Sequence, residues 1–249
     1  MGVDHNFKMF QRPFKFVGEA YYKQLQNIIP YELDNVRIRY YAENNAQGYA
    51  TGLDLKLNGN FVKGIESFAS ISIMKTMEDI KGDQYALYTS VFPDTTVQSP
   101  VKYDETVDSS IVYPGYIPRP TDQRVNFALT FQDYLPKYKF IRVHLSLLLG
   151  TGLPTGPPSY TRYKDVFRMP PYRRVDIGFS ARLKEEGVPS KLSILNSIKS
   201  AWFTMEVFNL LAVNNTISYL WIKDARNIEY GVPNYLTGRR VNAKLIVKF

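Results

Sequence analysis

From Arg240 to the end of the chain, residues alternate in kind. Val241, Ala243, Leu245, Val247 and Phe249 are apolar, while Arg240, Asn242, Lys244 and Lys248 are polar; Ile246 is the one exception. A period of two sends successive side chains to opposite faces of a strand. Such a segment therefore fits between two different environments, one apolar and one aqueous.

The same alternation recurs upstream. Phe14 to Tyr22 is a weaker strand. Val36, Ile38 and Tyr40 oppose Arg37, Arg39 and Tyr41. Tyr49, Thr51, Leu53, Leu55 and Leu57 oppose Ala50, Gly52, Asp54, Lys56 and Asn58, and Ala69, Ile71 and Ile73 oppose Ser70, Ser72 and Met74. In the second half the pattern sharpens. Val125, Phe127, Leu129 and Phe131 alternate with polar neighbours, as do Ile141 to Leu147, Val175 to Leu183 and Phe203 to Val207. With the terminal segment this makes about nine strands, or about ten if Thr216 to Lys223 pairs independently.

Segments near ten residues suit membrane-spanning strands, whereas the strands of a soluble β-sandwich usually run about five or six. Aromatics also sit at strand ends, as at Phe131, Tyr134, Tyr138 and Phe140. A final strand closing on an aromatic residue is common in bacterial outer-membrane barrels. The expected fold is all-β: an antiparallel up-and-down transmembrane β-barrel, here a partial barrel of about nine or ten long strands spanning residues 1–249. A soluble sandwich is the alternative.

Connection lengths agree with a barrel. Asn58 to Glu66 and Asp133 to Lys139 are short, while Met77 to Asp122 and Gly150 to Pro171 are long and rich in Pro, Gly and Tyr. With the C-terminus placed in the periplasm and strands counted backwards, the long connections all fall outside, including Leu210 to Tyr235. The misfit is the inner connection Lys184 to Ser200, where Leu192, Leu195 and Ile198 recur at helical spacing.

Composition narrows the field further. At 45% hydrophobic residues the chain is not disordered. The absence of Cys excludes disulfides, thiolate metal sites and Cys nucleophiles. The net charge of +8 is spread along strands and not clustered on a helix or arm, which argues against nucleic-acid binding. No apolar run approaches the length of a transmembrane helix. The opening MGVDHNFKMFQRPFKF lacks the regions of a signal peptide.

Four stretches carry a family resemblance: Gly48 to Gly59 (GYATGLDLKLNG), Arg162 to Ser180 (RYKDVFRMPPYRRVDIGFS), Glu206 to Thr216 (EVFNLLAVNNT) and Pro233 to Phe249 (PNYLTGRRVNAKLIVKF). In order and spacing they resemble the C-terminal barrel of a TonB-dependent outer-membrane receptor. Asn209-Leu210-Leu211 resembles the "NLF" element of that family's penultimate strand, and Gly238-Arg239-Arg240 the "GR" element opening its last strand. The resemblance implies a bacterial outer-membrane protein for TonB-dependent uptake of a scarce nutrient. The family's barrel has twenty-two strands around an N-terminal plug. This chain is therefore expected to be a barrel fragment, unable to transport alone. Its implied partners are outer-membrane lipid, the missing N-terminal strands and plug, the TonB system acting through that plug, and the barrel-assembly machinery, which would take Val241, Ala243, Leu245, Val247 and Phe249 as its assembly strand. The alternative is a stand-alone small outer-membrane barrel, a pore or adhesin.

Within that fold Arg124, Arg142, Arg174, Asp176, Arg182 and Glu206 face the lumen. They either contact a plug or passing solute, or satisfy one another as ion pairs. Tyr113, Tyr116, Tyr160 and Tyr163 lie in long outer connections and are the candidate ligand contacts, since Tyr offers rigid amphipathic area. His144 has Arg142 and Ser146 on its own face and no acid nearby in sequence, so neither a triad nor a metal site is expected. No catalytic residue, metal or cofactor is assigned, and an enzyme is not expected.

Overall fold

The computed structural model describes residues 1–34, 37–62, 65–90, 106–135, 137–158, 164, 166–189, 197–226 and 228–249. Strands β1 (Gly2–Met9) and β2 (Arg12–Ile28) open the chain, followed by a small hairpin of β3 (Tyr31–Asp34) and β4 (Arg37–Tyr40). Next come β5 (Ala46–Val62) and β6 (Ile65–Ile80), then β7 (Tyr85–Ser90), β8 (Thr106–Val112) and the short β9 (Ile117–Pro118). The second half holds β10 (Val125–Leu135), β11 (Tyr138–Gly150), β12 (Pro154–Thr155), β13 (Phe167–Arg168), β14 (Tyr172–Lys184), β15 (Ser200–Phe208), β16 (Thr216–Lys223), β17 (Glu229–Tyr235) and β18 (Arg240–Lys248).

Nine of these form one antiparallel wall in the order β1-β2-β5-β6-β10-β11-β14-β15-β18. Chain order is kept throughout, so the wall is an up-and-down meander. It does not close: β1 and β18 are both edges. The remaining strands make two-stranded hairpins, apart from β9, which adds to β6. Among the described residues no second large sheet covers the wall, as a sandwich would require.

The wall's membership differs from expectation at its start. Val36 itself lies outside the described residues, but Arg37–Tyr40 does not join the wall. It pairs locally with Tyr31–Asp34, Tyr31 opposite Tyr40. A wall strand at that position would force β2 and β5 to run parallel, and they pair antiparallel with Phe16 opposite Leu57. The ninth strand is instead Gly2–Met9, joined to β2 through Phe10 and Gln11, both at positive φ (52° and 58°). That is the backbone of a mirror-image tight turn, which normally selects Asn or Gly. Thr216–Lys223 also stays off the wall, pairing with Glu229–Tyr235. Strands β2 and β5 each have 17 residues and β6 has 16, well beyond ten.

Register aligns like with like across the wall. Phe16, Leu57, Ala69, Leu129, Leu147 and Val175 form one apolar row across six strands. Ile141, Ala181, Phe203 and Leu245 form another. The opposite face carries Gln132, His144, Gly178, Glu206 and Asn242 in register. Burial on these faces is inverted relative to a soluble protein. On β14 Phe179 is 46% exposed, while its neighbour Ser180 on the opposite face is 3% exposed. The hollow side of a curved sheet is the crowded one, so the wall bends toward its polar face. Contacts that skip a strand on that face, described below, need the same curvature.

The four long connections, 29–45, 81–124, 151–171 and 209–239, all leave one end of the wall. The strand ends that flank 10–11, 63–64, 136–137 and 185–199 lie at the other end. Of the helical spacing read there, Leu192 and Leu195 lie outside the described residues. Aromatics cluster toward both ends. At the turn end Phe14 meets Phe7 (5.8 Å) and Phe61 (5.0 Å), and Phe61 meets Phe131 (6.0 Å). At the other end Tyr49 meets Tyr22 (6.2 Å) and Tyr116 (5.7 Å). A small apolar core of Ala46, Ile80 and Ile117 lies beneath the long connections.

Candidate functional site

The polar face of the wall is the surface with the most chemistry. Its middle is built on Gly178. With no side chain at that position, the His144 imidazole lies over the β14 backbone, where a Cβ would overlap it. His144 Nε2 thereby reaches Glu206 Oε1 at 3.1 Å, skipping a strand, and Asn242 Nδ2 donates to Glu206 Oε2 at 3.2 Å. Sequence reasoning finds no acid for His144, because the partner stands 62 residues away. Among the described residues no three His, Asp or Glu gather closely enough to hold an ion.

Next to it Asp176 Oδ1 accepts from Arg174 Nε (2.8 Å) and from the backbone N–H of Asn209 (2.8 Å). Arg174 also lies over the Phe208 ring at 5.3 Å. Asn209 is buried at positive φ (51°), and its side chain donates to Val213 O and accepts from Val213 N–H. The Asn209-Leu210-Leu211 element is thus a turn pinned to β14, where Leu210 N–H also donates to Val175 O. Asn215 repeats the device, bridging both backbone groups of Arg173.

Toward the turn end Arg182 donates to Glu185 at 2.8 Å and lies over Trp202 at 5.9 Å. Arg142 lies over the same ring at 5.7 Å. Of the polar residues expected to face the lumen, Arg174 and Asp176 meet each other, Arg182 and Glu206 meet partners outside that set, and Arg142 meets Trp202. Nothing in the sequence flags Trp202, except that it falls on the polar step of its strand.

Arg124 belongs to a different node at the excursion end. Fully buried Asp122 accepts from Arg124 Nε (2.6 Å), from the Thr76 N–H (2.7 Å) and from Arg168. Arg168 also donates to Asp122 O (2.7 Å) and Gly152 O (3.1 Å). This ties β6, β10 and the 151–171 connection together. Beside it, buried Glu78 pairs with Arg119 at 3.0 Å.

Above this rim lies a cleft among three long connections, bounded by Leu33, Pro118, Pro120, Pro154, Pro157 and Pro158. Tyr113 is exposed at the end of β8, and Tyr116, half-exposed, contacts the wall ring Tyr49. Tyr160 and Tyr163 lie outside the described residues. Val241, Ala243, Leu245 and Val247, expected as the assembly strand, occupy β18, with Phe249 beyond it; Val241, Leu245 and Phe249 are well exposed along the open edge. No known protein family, curated protein or solved structure matches this chain.

Proposed function

We propose that the chain is part of the wall of a TonB-dependent-receptor-type barrel in the bacterial outer membrane. The observation that carries this is the inverted sheet. Between Phe14 and Phe16 at one end and Tyr22 and Tyr49 at the other, the outward face of β2 and β5 carries Gly18, Ala20, Thr51, Leu53, Leu55 and Leu57 and no charge. The band continues through Ile71, Ile73, Phe127, Leu129, Val143, Leu145, Ile177, Phe179 and Met205. Charges on this face appear toward its margins, at Arg12, Lys75, Asp79, Asp133, Arg173 and, by register, Lys184. At about 3.4 Å per residue and the tilt usual for barrels, this is a belt about 25 Å tall flanked by aromatics. Water penalises such an outward face and lipid does not.

In this reading the polar face lines a lumen and the long connections face outward. The open edges at β1 and β18 meet the receptor's remaining strands, because unpaired edge groups are too costly to leave in hydrocarbon. Import, the plug, the TonB system and barrel assembly enter through the family resemblance. A second reading, a small independent barrel, is favoured by the nine-strand sheet being continuous and chain-ordered.

Refolding into detergent, followed by gel mobility in SDS with and without boiling, separates these readings. The receptor reading expects a chain that needs micelles and gains β-structure, yet gives no compact band before boiling. A compact, heat-modifiable band favours the independent barrel. A monomer soluble without detergent overturns both.

A further inference from the structure

One row of the polar face is unlike the rest. Arg142, Ser180, Thr204 and Lys244 stand opposite one another on β11, β14, β15 and β18. The row therefore reads cation, hydroxyl, hydroxyl, cation. Arg124, Arg174 and Arg182 each hold a carboxylate. Among the described residues Arg142 and Lys244 hold none. The Arg142 Nε is buried without a hydrogen-bond partner, and its guanidinium lies over the Trp202 ring at 5.7 Å. Buried donors are nearly always satisfied, so an orphan on an unpaired cation calls for a ligand. Between the cations Ser180 Oγ and Thr204 Oγ1 share one hydrogen bond of 2.9 Å. With Ser180, which is 3% exposed, as the donor in that pair, the less buried Thr204 hydroxyl keeps its own proton to donate outward.

We propose that this row binds an oxyanion, the phosphate or carboxylate group of a solute in contact with the polar face. Arg142 supplies the directional, charge-assisted hydrogen bond, one hydroxyl a second donor, and Lys244 the balancing charge from the edge strand. The nearby acids do not compete, because Glu206 is engaged by His144 and Asn242, and Glu185 by Arg182. Trp202 makes the site its own reporter. The inference rests on strand register and not on the membrane reading.

The chain has two Trp, so Trp221→Phe isolates Trp202 emission. The full chain carrying this change is titrated in micelles with sodium phosphate, and separately with sodium acetate, at constant ionic strength. A cross-strand disulfide between Met205→Cys and Ala243→Cys, which are paired in register, verifies the sheet. The expected result is a saturable change in Trp202 emission. Arg142→Gln should weaken it by about tenfold or more, as loss of a charge-assisted hydrogen bond implies. Lys56→Gln, which alters a polar-face lysine on a distant strand, should leave it unchanged. Saturation by phosphate alone assigns a phosphate site, and saturation by acetate a carboxylate site. No saturable response, or an equal response in Arg142→Gln, overturns the site. Failure of the disulfide to form removes the register on which it stands, with the same consequence.

Discussion

Gly178 works through the side chain it lacks: its open Cβ position is filled by the His144 ring on its way to Glu206. Gly178→Val should push the ring aside and cost about 1–3 kcal/mol, the usual penalty for overpacking. Denaturant unfolding in micelles measures it, and His144→Ala in the same chain should return part of the loss. At the excursion end, burial is the main cause of a raised Asp83 carboxyl pKa, the Asp79 charge adds to it, and a hydrogen bond to its own backbone N–H opposes both. A raised carboxyl pKa penalises ionisation in the folded state only. Below the ordinary carboxylate range Asp83 is protonated folded or unfolded and the penalty is absent; it grows as pH rises through the folded pKa. Asp83→Asn should therefore be the more stable protein at neutral pH, the two converging in acid, as a pH series of protease-protection measurements would report. Residue pairs like these were not legible in the sequence. His144 and Glu206 are brought together by two successive strand registers, neither of which is a local property of the chain.

Strands were more legible than their partners, because a period of two is written within a few residues. The outward face of β18 follows the alternation from Val241 to Val247, and its apolar members face Val207, Met205, Phe203 and Ala201. Where expectation and structure part, pairing is the reason. Arg37–Tyr40 alternates as a wall strand does, yet a partner four residues long was already next to it. Gly2–Met9 alternates too, with Val3, His5 and Phe7 on one face, but no Asn-Gly or Asp-Gly marks the turn after it. Phe10 and Gln11 bear that strain themselves, about 1–2 kcal/mol for each side chain in the left-handed region. Phe10→Asn with Gln11→Gly should stabilise the β1–β2 hairpin by about that much, read as slower amide exchange in β1.

For the molecule as a whole the decisive property is which face is exposed. Phe179 lies mid-belt and is 46% exposed. In a soluble sheet Phe179→Arg at so open a site would be nearly neutral. Facing lipid, arginine near the midplane costs about 2–4 kcal/mol. Comparing the variant's folding in lipid vesicles with that of Ser70→Arg, on the opposite face, separates these outcomes. The wall was foreseeable as a class of structure, since alternation and connection length are properties of sequence. The meeting points of the long connections were not, because they depend on side chains that converge only after the wall has curved.

Those meeting points share one member. The 151–171 connection receives Arg39 at Pro158 O (3.3 Å), sets Lys164 over Tyr85 (5.7 Å) and sends Arg168 to Asp122. It also packs Phe167 against Tyr219 (5.7 Å) and Trp221 (6.2 Å). The rim is therefore arranged like spokes on a hub. A single protease nick in this segment should loosen three hairpins it does not cut. Whatever seats itself against the hub can speak to the entire rim at once.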